Sequence, residues 1–276
     1  MKQSSLRLAG IRLEPRNLQL LRELTNDELV RSEEFMKTFA AARNRFALFG
    51  IHQSNYEAWQ DYINSLRKIQ QPDQDQMQEL NRHLLNFLSS ARALIDHFTQ
   101  FYIQTYRNTP QADDFSKLIE KLSGIVWAVG FFQDFRNFVQ HCGLPICNFE
   151  KTSAQCSLVV KVEADSDWLV KNYTRWSVSK LKKSHGMLDL IRLTDEYHFC
   201  IIHDLASFLA KAFFPTIFDA HVFFETLTKE VVKSAPGHIM VFANAIPHGN
   251  ELSVQTQHVP NDVFGELGIL VKLNPS

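Results

Sequence analysis

The stretch MQELNRHLLNFLSSARALIDHFTQFY, residues 77–102, decides which fold the sequence predicts. Its apolar residues follow one another at steps of three and four; they are Met77, Leu80, Leu84, Leu88, Ala91, Ile95, Phe98 and Tyr102. Because an α-helix turns once in about 3.6 residues, this spacing places all of them on one face. The sequence therefore predicts a long amphipathic helix over residues 75–107 that buries a single face.

Helices are also expected through most of the remaining chain. The predicted ones are a helix that opens at Pro15 and runs through Leu18, Leu21 and Leu24, and helices over 31–48, 55–69, 113–122, 125–142, 187–213 and 216–234. Three segments have the pattern of short strands, namely 156–164, 238–245 and 267–273.

The expected fold class is therefore mainly α. A helical region is predicted over residues 1–150, and a mixed, mostly helical region with a few short strands is predicted over 151–276. The boundary near 146–155 is soft, so the two regions could share one core.

Composition and motifs exclude several classes of function. The 276 residues carry a net charge of −1, so any nucleic-acid contact must come from a local basic patch. The sequence contains no GxxxxGK[ST], GxGxxG, GxSxG or CxxC motif, which argues against nucleotide motors, dinucleotide oxidoreductases, serine hydrolases and zinc ribbons. No cofactor and no metal site are predicted. The absence of a signal-type segment in MKQSSLRLAGIRLEP, residues 1–15, predicts a cytoplasmic protein without a membrane partner.

A second stretch, FRNFVQHCGLP at residues 135–145, carries the candidate chemistry. On a helical wheel its phenylalanines and their apolar neighbours fill one arc, and the polar residues form a strip on the other. The strip consists of Gln133, Arg136, Asn137, Gln140 and His141, with Asp134 just beyond it.

Three residues of this strip suit catalysis on a phosphodiester. The guanidinium of Arg136 can bind phosphate oxygens in pairs, and His141 can exchange a proton near neutral pH. Asn137 can orient a hydroxyl or a phosphate oxygen. Such a set could cleave RNA without a metal, because a base would take the proton of a 2′-hydroxyl while the arginine stabilised the charge on phosphorus.

The order Arg136-Asn137-Phe138-Val139-Gln140-His141 at a helix end resembles the signature of the HEPN superfamily. In that superfamily an arginine is followed by a polar residue and then by a histidine four to six residues beyond the arginine. Its members are helical bundles, and many are ribonucleases of toxin–antitoxin and phage-defence systems. The helix over 75–107 also resembles a neighbouring long helix of that superfamily, so the resemblance covers residues 75–150.

The resemblance implies a HEPN-like helical bundle that acts on RNA as a homodimer. Two copies of the motif helix would line one cleft, which agrees with the chemistry because RNA cleavage by this route needs both a base and an acid. The products would end in a 2′,3′-cyclic phosphate. The setting would be toxin–antitoxin or antiphage defence, with an antitoxin or regulatory protein as a possible partner.

Further residues are expected to support this site. Asp96 could reach across the bundle to orient His141 or Arg136, and His97 and Gln140 would assist. The alternative for Asp96 is a surface ion pair with Arg92, four residues earlier on the same helix face.

The segment WLVKNYTRWSVSKLKKSHGML, residues 168–188, has no acidic residue and mixes basic with aromatic side chains. Such a mixture suits an RNA strand. The side chains expected to contact RNA are Lys171, Arg175, Lys180, Lys182 and Lys183. The alternative is a solvated basic segment whose aromatic rings pack inward.

Two other functions stay open. The first is a non-catalytic HEPN-like module that binds RNA, a nucleotide or a protein. The second is a metal-dependent phosphohydrolase built on the His203-Asp204 dipeptide, with His185, His198 and Asp219 as further ligands.

Overall fold

The computed structural model describes residues 6–69, 71–142, 147–154, 157–176, 181, 186–248 and 251–258. The chain forms two compact units, of which one contains Met1–Asn44 with Ser207–Ser276 and the other contains Arg45–Ala206. The described residues are mostly helical, with two small antiparallel sheets, which confirms the mainly α class. The first unit draws on both ends of the chain, whereas the sequence suggested a division near residues 146–155.

The helices are α1 (Asn26–Leu66), α2 (Gln74–Thr105), α3 (Asp114–Ile125), α4 (Trp127–Cys142), α5 (Ser166–Asn172), α6 (Leu190–Cys200) and α7 (Ala206–Ser234). The strands are β1 (Leu6–Leu13), β2 (Arg16–Glu23), β3 (Cys147–Ala154), β4 (Ser157–Asp165), β5 (Met187–Asp189), β6 (Ile239–His248) and β7 (Glu251–His258). A 3₁₀ turn, Pro110–Asp113, precedes α3, and a π-helical turn, Ile201–Leu205, joins α6 to α7. No described helix combines the length and the hydropathy that crossing a bilayer requires.

The first unit contains a four-stranded sheet in the order β2-β1-β6-β7. The prediction of a helix that opens at Pro15 is wrong, because residues 16–23 form β2. Leu18 pairs with Ile11 and Leu20 with Ala9, so the leucines alternate at period two and join the buried face of the sheet. A short leucine-rich run fits both the helical period of about 3.6 residues and the strand period of two. The strand forms because β1, with which β2 pairs, is itself held in a sheet by the distant β6.

One arginine ties together three elements of this unit. The guanidinium of Arg22 on β2 donates to both carboxylate oxygens of Glu230 on α7, at 2.7 and 2.8 Å. It also donates to both oxygens of Glu28 at the start of α1, at 2.7 and 2.8 Å. These hydrogen bonds lower the pKa of Glu28 to about 2. The planar guanidinium therefore binds two carboxylates through four hydrogen bonds, more than the three N–H groups of a lysine could donate.

In the second unit, α1 continues where the sequence suggested a break between helices over 31–48 and 55–69. Gly50 lies in the middle of α1 and is exposed. A glycine in a helix costs only about 1 kcal/mol relative to alanine. That is too little to end a helix that buries Phe49 just before Gly50 and His52 and Trp59 after it.

The helix predicted over 75–107 is confirmed as α2. Asp73 accepts a hydrogen bond from the backbone N–H of Gln76, and the Gln76 side chain accepts one from the backbone N–H of Asp73. This reciprocal cap explains why α2 begins directly after Pro72. The predicted face is buried from Leu80 to Tyr102.

Aromatic side chains of α4 form much of the core of this unit. Phe131, Phe132, Phe135 and Phe138 are all fully buried, as the helical wheel predicted. The ring of Trp176 lies parallel to that of Phe131, with centroids 6.0 Å apart. These contacts fix which face of α4 points inward, and therefore which face is left for the polar strip.

The C-terminal elements differ from the prediction in three places. The segment 187–213 is divided into β5, α6 and the π-helical turn, and α7 continues through the proline at 215. A proline inside a helix costs about 3 kcal/mol, and burial of Leu227 and Val231 along α7 helps to offset that cost. The strands predicted over 156–164 and 238–245 correspond to β4 and β6, whereas 267–273 lies outside the described residues.

Candidate functional site

The polar strip of α4 lies on the side of the helix that is not part of the core. Arg136 and Asn137 are half-buried, and Gln140 and His141 are exposed in the last two turns. Asp134 departs from the expectation, because it is buried. In the described part of the chain neither Arg136 nor His141 forms an ion pair, so both remain available to a ligand.

Asp96 on α2 is held by Arg92 and not by the strip. Arg92 Nε lies 2.9 Å from Asp96 Oδ2, and Nη2 lies 2.9 Å from Oδ1. The surface ion pair considered as the alternative is therefore present. His97, its neighbour, is exposed. The supporting role of Asp96 and His97 stays a prediction that no contact among the described residues favours.

The basic segment, residues 168–188, has exposed cationic side chains, but fewer of its aromatic rings are accessible for stacking with a base than expected. Lys171 and Arg175 are exposed, whereas Lys180, Lys182, Lys183 and His185 lie outside the described residues. Trp176 is 3% exposed, and its indole N–H donates to the Leu169 carbonyl at 3.1 Å. A base could not stack on a ring buried in this way, so for Trp176 the inward-packing alternative holds.

A contact joins the end of α4, the helix that carries the strip, to the end of α5, which carries part of the basic segment. The Cys142 thiol donates to the carbonyl oxygen of Asn172 at 3.5 Å. His141 and Lys171 are the sequence neighbours of these two residues, and both are exposed. The structure therefore places a histidine and a lysine, predicted separately, at the same end of α4.

A second group of polar side chains, not predicted from the sequence, surrounds two histidines. His52 on α1 is fully buried, and its Nδ1 lies 3.3 Å from the hydroxyl of Ser90 on α2. Its Nε2 lies 3.2 Å from Nδ1 of His198 on α6. The two histidines are 146 residues apart in the chain, and no spacing pattern in the sequence relates them.

The hydrogen bonds of this group define which nitrogen carries each proton. The Ser90 hydroxyl donates to the Phe87 carbonyl at 2.8 Å, so its oxygen accepts from Nδ1–H of His52. Nε2 of a neutral His52 is then an acceptor, and Nδ1–H of His198 donates to it. This order leaves Nε2 of His198 as an acceptor without a partner in the described part of the chain.

Burial keeps both rings neutral. Burial lowers the pKa of His198 to about 4, and burial together with the adjacent His198 lowers the pKa of His52 well below its usual range. Two positive charges at this separation would repel each other in a poorly solvated site. Nε2 of the neutral His198 is therefore a hydrogen-bond acceptor at neutral pH.

Tyr56 on α1 holds the face of His198. The two rings are parallel within 3°, with centroids 3.7 Å apart. The Tyr56 hydroxyl donates to Asp195 Oδ1 at 2.9 Å, and the Gln60 amide donates to the same oxygen at 2.6 Å. Stacking and hydrogen bonds together fix the orientation of the imidazole.

These residues line an open cavity of about 740 Å³ that lies within the second unit. Its walls include Tyr56, Trp127, His198, Phe199, His203 and Asp204. The π-helical turn supplies the last two of these residues, and such turns often occur at functional sites. Cys200 also lines the cavity, but burial raises the pKa of its thiol to about 12, so the thiol is a poor nucleophile.

The dipeptide His203-Asp204 lies at this cavity, but the structure gives little support to the metal hypothesis. Among the described residues no group of three or more histidine, cysteine, aspartate or glutamate side chains is placed to hold a metal ion. His198 is instead hydrogen-bonded to His52, and Asp219 is exposed on α7.

Comparison of the chain with known proteins does not identify it, because no family model, curated protein or solved structure matches it.

Proposed function

We propose that the protein is a metal-independent endoribonuclease of the HEPN type, with its active residues at the end of α4. The observation that carries the proposal is the joining of α4 to α5 through Cys142 and Asn172. The exposed side chains of His141 and Lys171 belong to residues next to this contact, and the half-buried Arg136 lies about one and a half turns before His141 on α4.

Each residue of the strip has a defined part in the proposed reaction. His141 of one copy takes the proton of the RNA 2′-hydroxyl, and the 2′-oxygen attacks phosphorus. His141 of the second copy gives a proton to the departing 5′-oxygen. Arg136 stabilises the negative charge that develops on the phosphoryl oxygens, and Asn137 positions the 2′-hydroxyl or the phosphate. The products are a 2′,3′-cyclic phosphate and a 5′-hydroxyl.

The reaction explains why the proposal includes a homodimer. One copy supplies one accessible histidine at the end of α4, whereas the reaction needs a base and an acid. Two copies placed about a twofold axis supply both. Lys171 and Arg175 would contact the RNA backbone on either side of the cleft. Lys180, Lys182 and Lys183 are proposed to extend this surface.

The resemblance also suggests the biological setting. We propose a toxin–antitoxin or antiphage role, in which an antitoxin or regulatory protein controls the activity. This part of the proposal rests on the family signature alone.

Cleavage of total RNA in EDTA tests the proposal. The wild-type protein should cleave RNA with EDTA present, and His141→Ala and Arg136→Ala should each lower the rate at least about a hundredfold, the usual contribution of acid–base and oxyanion-stabilising groups. His221→Ala and Arg67→Ala are matched controls, because both side chains are exposed and lie outside the strip. The controls should retain wild-type activity.

The same assay distinguishes the alternatives. RNA binding without cleavage would reject the nuclease in favour of a binding module. Cleavage that EDTA abolishes would favour a metal-dependent phosphohydrolase. Cleavage that survives in His141→Ala would remove the strip from the mechanism.

A further inference from the structure

The cavity at His198 has the properties of a ligand site that is separate from the strip. It opens beside Trp127, the first residue of α4, whereas His141 lies fourteen residues further along that helix. At about 1.5 Å per residue these ends are about 21 Å apart. A volume of about 740 Å³ is typical of a small-molecule site.

One wall of the cavity presents hydrogen-bond acceptors. Nε2 of His198 is an acceptor, because its Nδ1–H is used on His52. Asp195, Glu196 and Asp204 add carboxylates. Asp195 already accepts hydrogen bonds from Tyr56 and Gln60, and Glu196 is paired with Arg192 at 3.4 Å. No lysine or arginine is among the described residues that line the cavity. This wall would repel a phosphate and attract N–H donors or a cation.

One residue of the cavity wall carries a buried donor that has no partner among the described residues. Trp127 lines the cavity, and its indole N–H is buried with no hydrogen-bond partner in the described part of the chain. A buried donor that stays unsatisfied costs about 1–3 kcal/mol, so such groups are uncommon in folded proteins. An acceptor atom on a ligand would remove that cost once the indole of Trp127 turns towards it.

An exposed aromatic ring, that of Phe199, belongs to the cavity wall. Phe199 is 60% exposed, and its ring stacks on His203 with centroids 4.1 Å apart. Ile125, which also lines the cavity, is 66% exposed. Exposed apolar rings at an opening favour a planar ligand that can stack on them.

We propose that this cavity binds a nucleobase, presented as a free base or as a nucleoside without phosphate. The heterocycle is planar, as the Phe199 wall requires. Its N–H groups donate to Nε2 of His198 and to the carboxylates, while a ring nitrogen or carbonyl oxygen accepts from Trp127. A quaternary ammonium would satisfy the rings and carboxylates but not the indole N–H. A nucleotide or an RNA strand would bring phosphates to an acidic wall. The inference does not depend on RNA cleavage.

Isothermal titration of the full chain tests the proposal. The probes are adenosine, guanosine, cytidine and uridine, their 5′-monophosphates, and benzyltrimethylammonium. At least one nucleoside should bind with a Kd of about 1 mM or tighter, and its monophosphate should bind at least about tenfold more weakly. Benzyltrimethylammonium should bind more weakly than that nucleoside.

Two variants locate the binding. Trp127→Phe keeps a ring and removes the N–H, so it should weaken nucleoside binding about tenfold without loss of thermal stability. Phe199→Ala removes an exposed ring and should also weaken binding, with folding preserved. Trp168→Phe is the control, because Trp168 does not line the cavity.

Three results would overturn the inference. They are the absence of nucleoside binding at millimolar concentration, binding that Trp127→Phe and Phe199→Ala leave unchanged, and tighter binding of the monophosphate or of benzyltrimethylammonium. The outcome is independent of the nuclease proposal, because the titration measures binding without RNA and the variants lie outside the strip.

Discussion

His198 occupies a position that fixes both its proton and its orientation. Tyr56 covers one face at 3.7 Å between ring centroids, and His52 binds Nδ1 at 3.2 Å. Buried polar groups that are fully hydrogen-bonded hold one arrangement of a core. Here the chain of hydrogen bonds runs from the Phe87 carbonyl through Ser90 and His52 to His198, and it ends at the cavity.

The two neutral histidines make stability depend on pH. In the unfolded chain each has its ordinary pKa of 6.5, whereas the folded pKa is about 4 for His198 and lower still for His52. The unfolded state therefore binds more protons, and the free energy of unfolding should fall as the pH decreases from about 6.5 towards about 4. The fully buried His52 contributes up to about 1.4 kcal/mol per pH unit in that window.

Urea unfolding between pH 7 and pH 4.5 measures this dependence. His52→Leu should flatten the curve, whereas His221→Leu, at an exposed position on α7, should not. Glu57 and His203 also act on His198, in opposite directions, and neither variant alters them. An unchanged slope in His52→Leu would contradict the neutral assignment.

At the same scale, the sequence predicted the polar strip but not the histidine pair. Arg136, Asn137 and His141 belong to one helix, so a helical wheel could place them on one side. His52 and His198 meet only because α1 and α6 pack within one unit, and that packing depends on contacts between distant segments. Arg92 and Asp96, four residues apart, formed the local ion pair that a wheel also predicts.

At the scale of elements, Arg22 joins β2 to the start of α1 and to α7. Arg22→Ala should lower the free energy of unfolding at pH 7 by about 2 kcal/mol, because hydrogen bonds to charged groups contribute more than neutral ones. The folded pKa of Glu28 is depressed to about 2, so this contribution is present above pH 4.5 and is lost as the pH falls towards 2.

Arg7→Ala provides the matched control. Arg7 forms a single exposed ion pair with Glu23 on the neighbouring strand, at 2.9 Å. Exposed pairs contribute little, so this change should cost under about 1 kcal/mol. Equal losses in the two variants, measured by chemical unfolding, would contradict a special role for the Arg22 fork.

The elements differ in how far the sequence could predict them. The helix α2 was predictable because two local signals indicate the same helix. They are the capping residues at its start and an apolar face that repeats along its 32 residues. The strands β1 and β2 were not, because pairing of β1 with β6 joins segments more than two hundred residues apart. The π-helical turn also has no sequence signature, although it supplies His203 and Asp204 to the cavity.

At the scale of the molecule, both candidate sites, the strip and the cavity, lie within Arg45–Ala206. Helix α4 crosses this unit with a phenylalanine face in the core, the cavity at its first residue and the polar strip towards its last turns. The sequence anticipated the mainly α class and the strip. It could not anticipate that the two ends of the chain form one unit, since that grouping follows from pairing of β1 with β6.

We propose that the end of α4 cleaves RNA through attack by the 2′-hydroxyl. The decisive test is incubation of the protein in EDTA with a labelled RNA and with the same sequence fully 2′-O-methylated. We expect that only the unmodified RNA is cut, that the products carry 2′,3′-cyclic phosphate and 5′-hydroxyl ends, and that the His141→Ala variant leaves the RNA intact. Cleavage of the methylated strand, or products with 3′-hydroxyl ends, would contradict it.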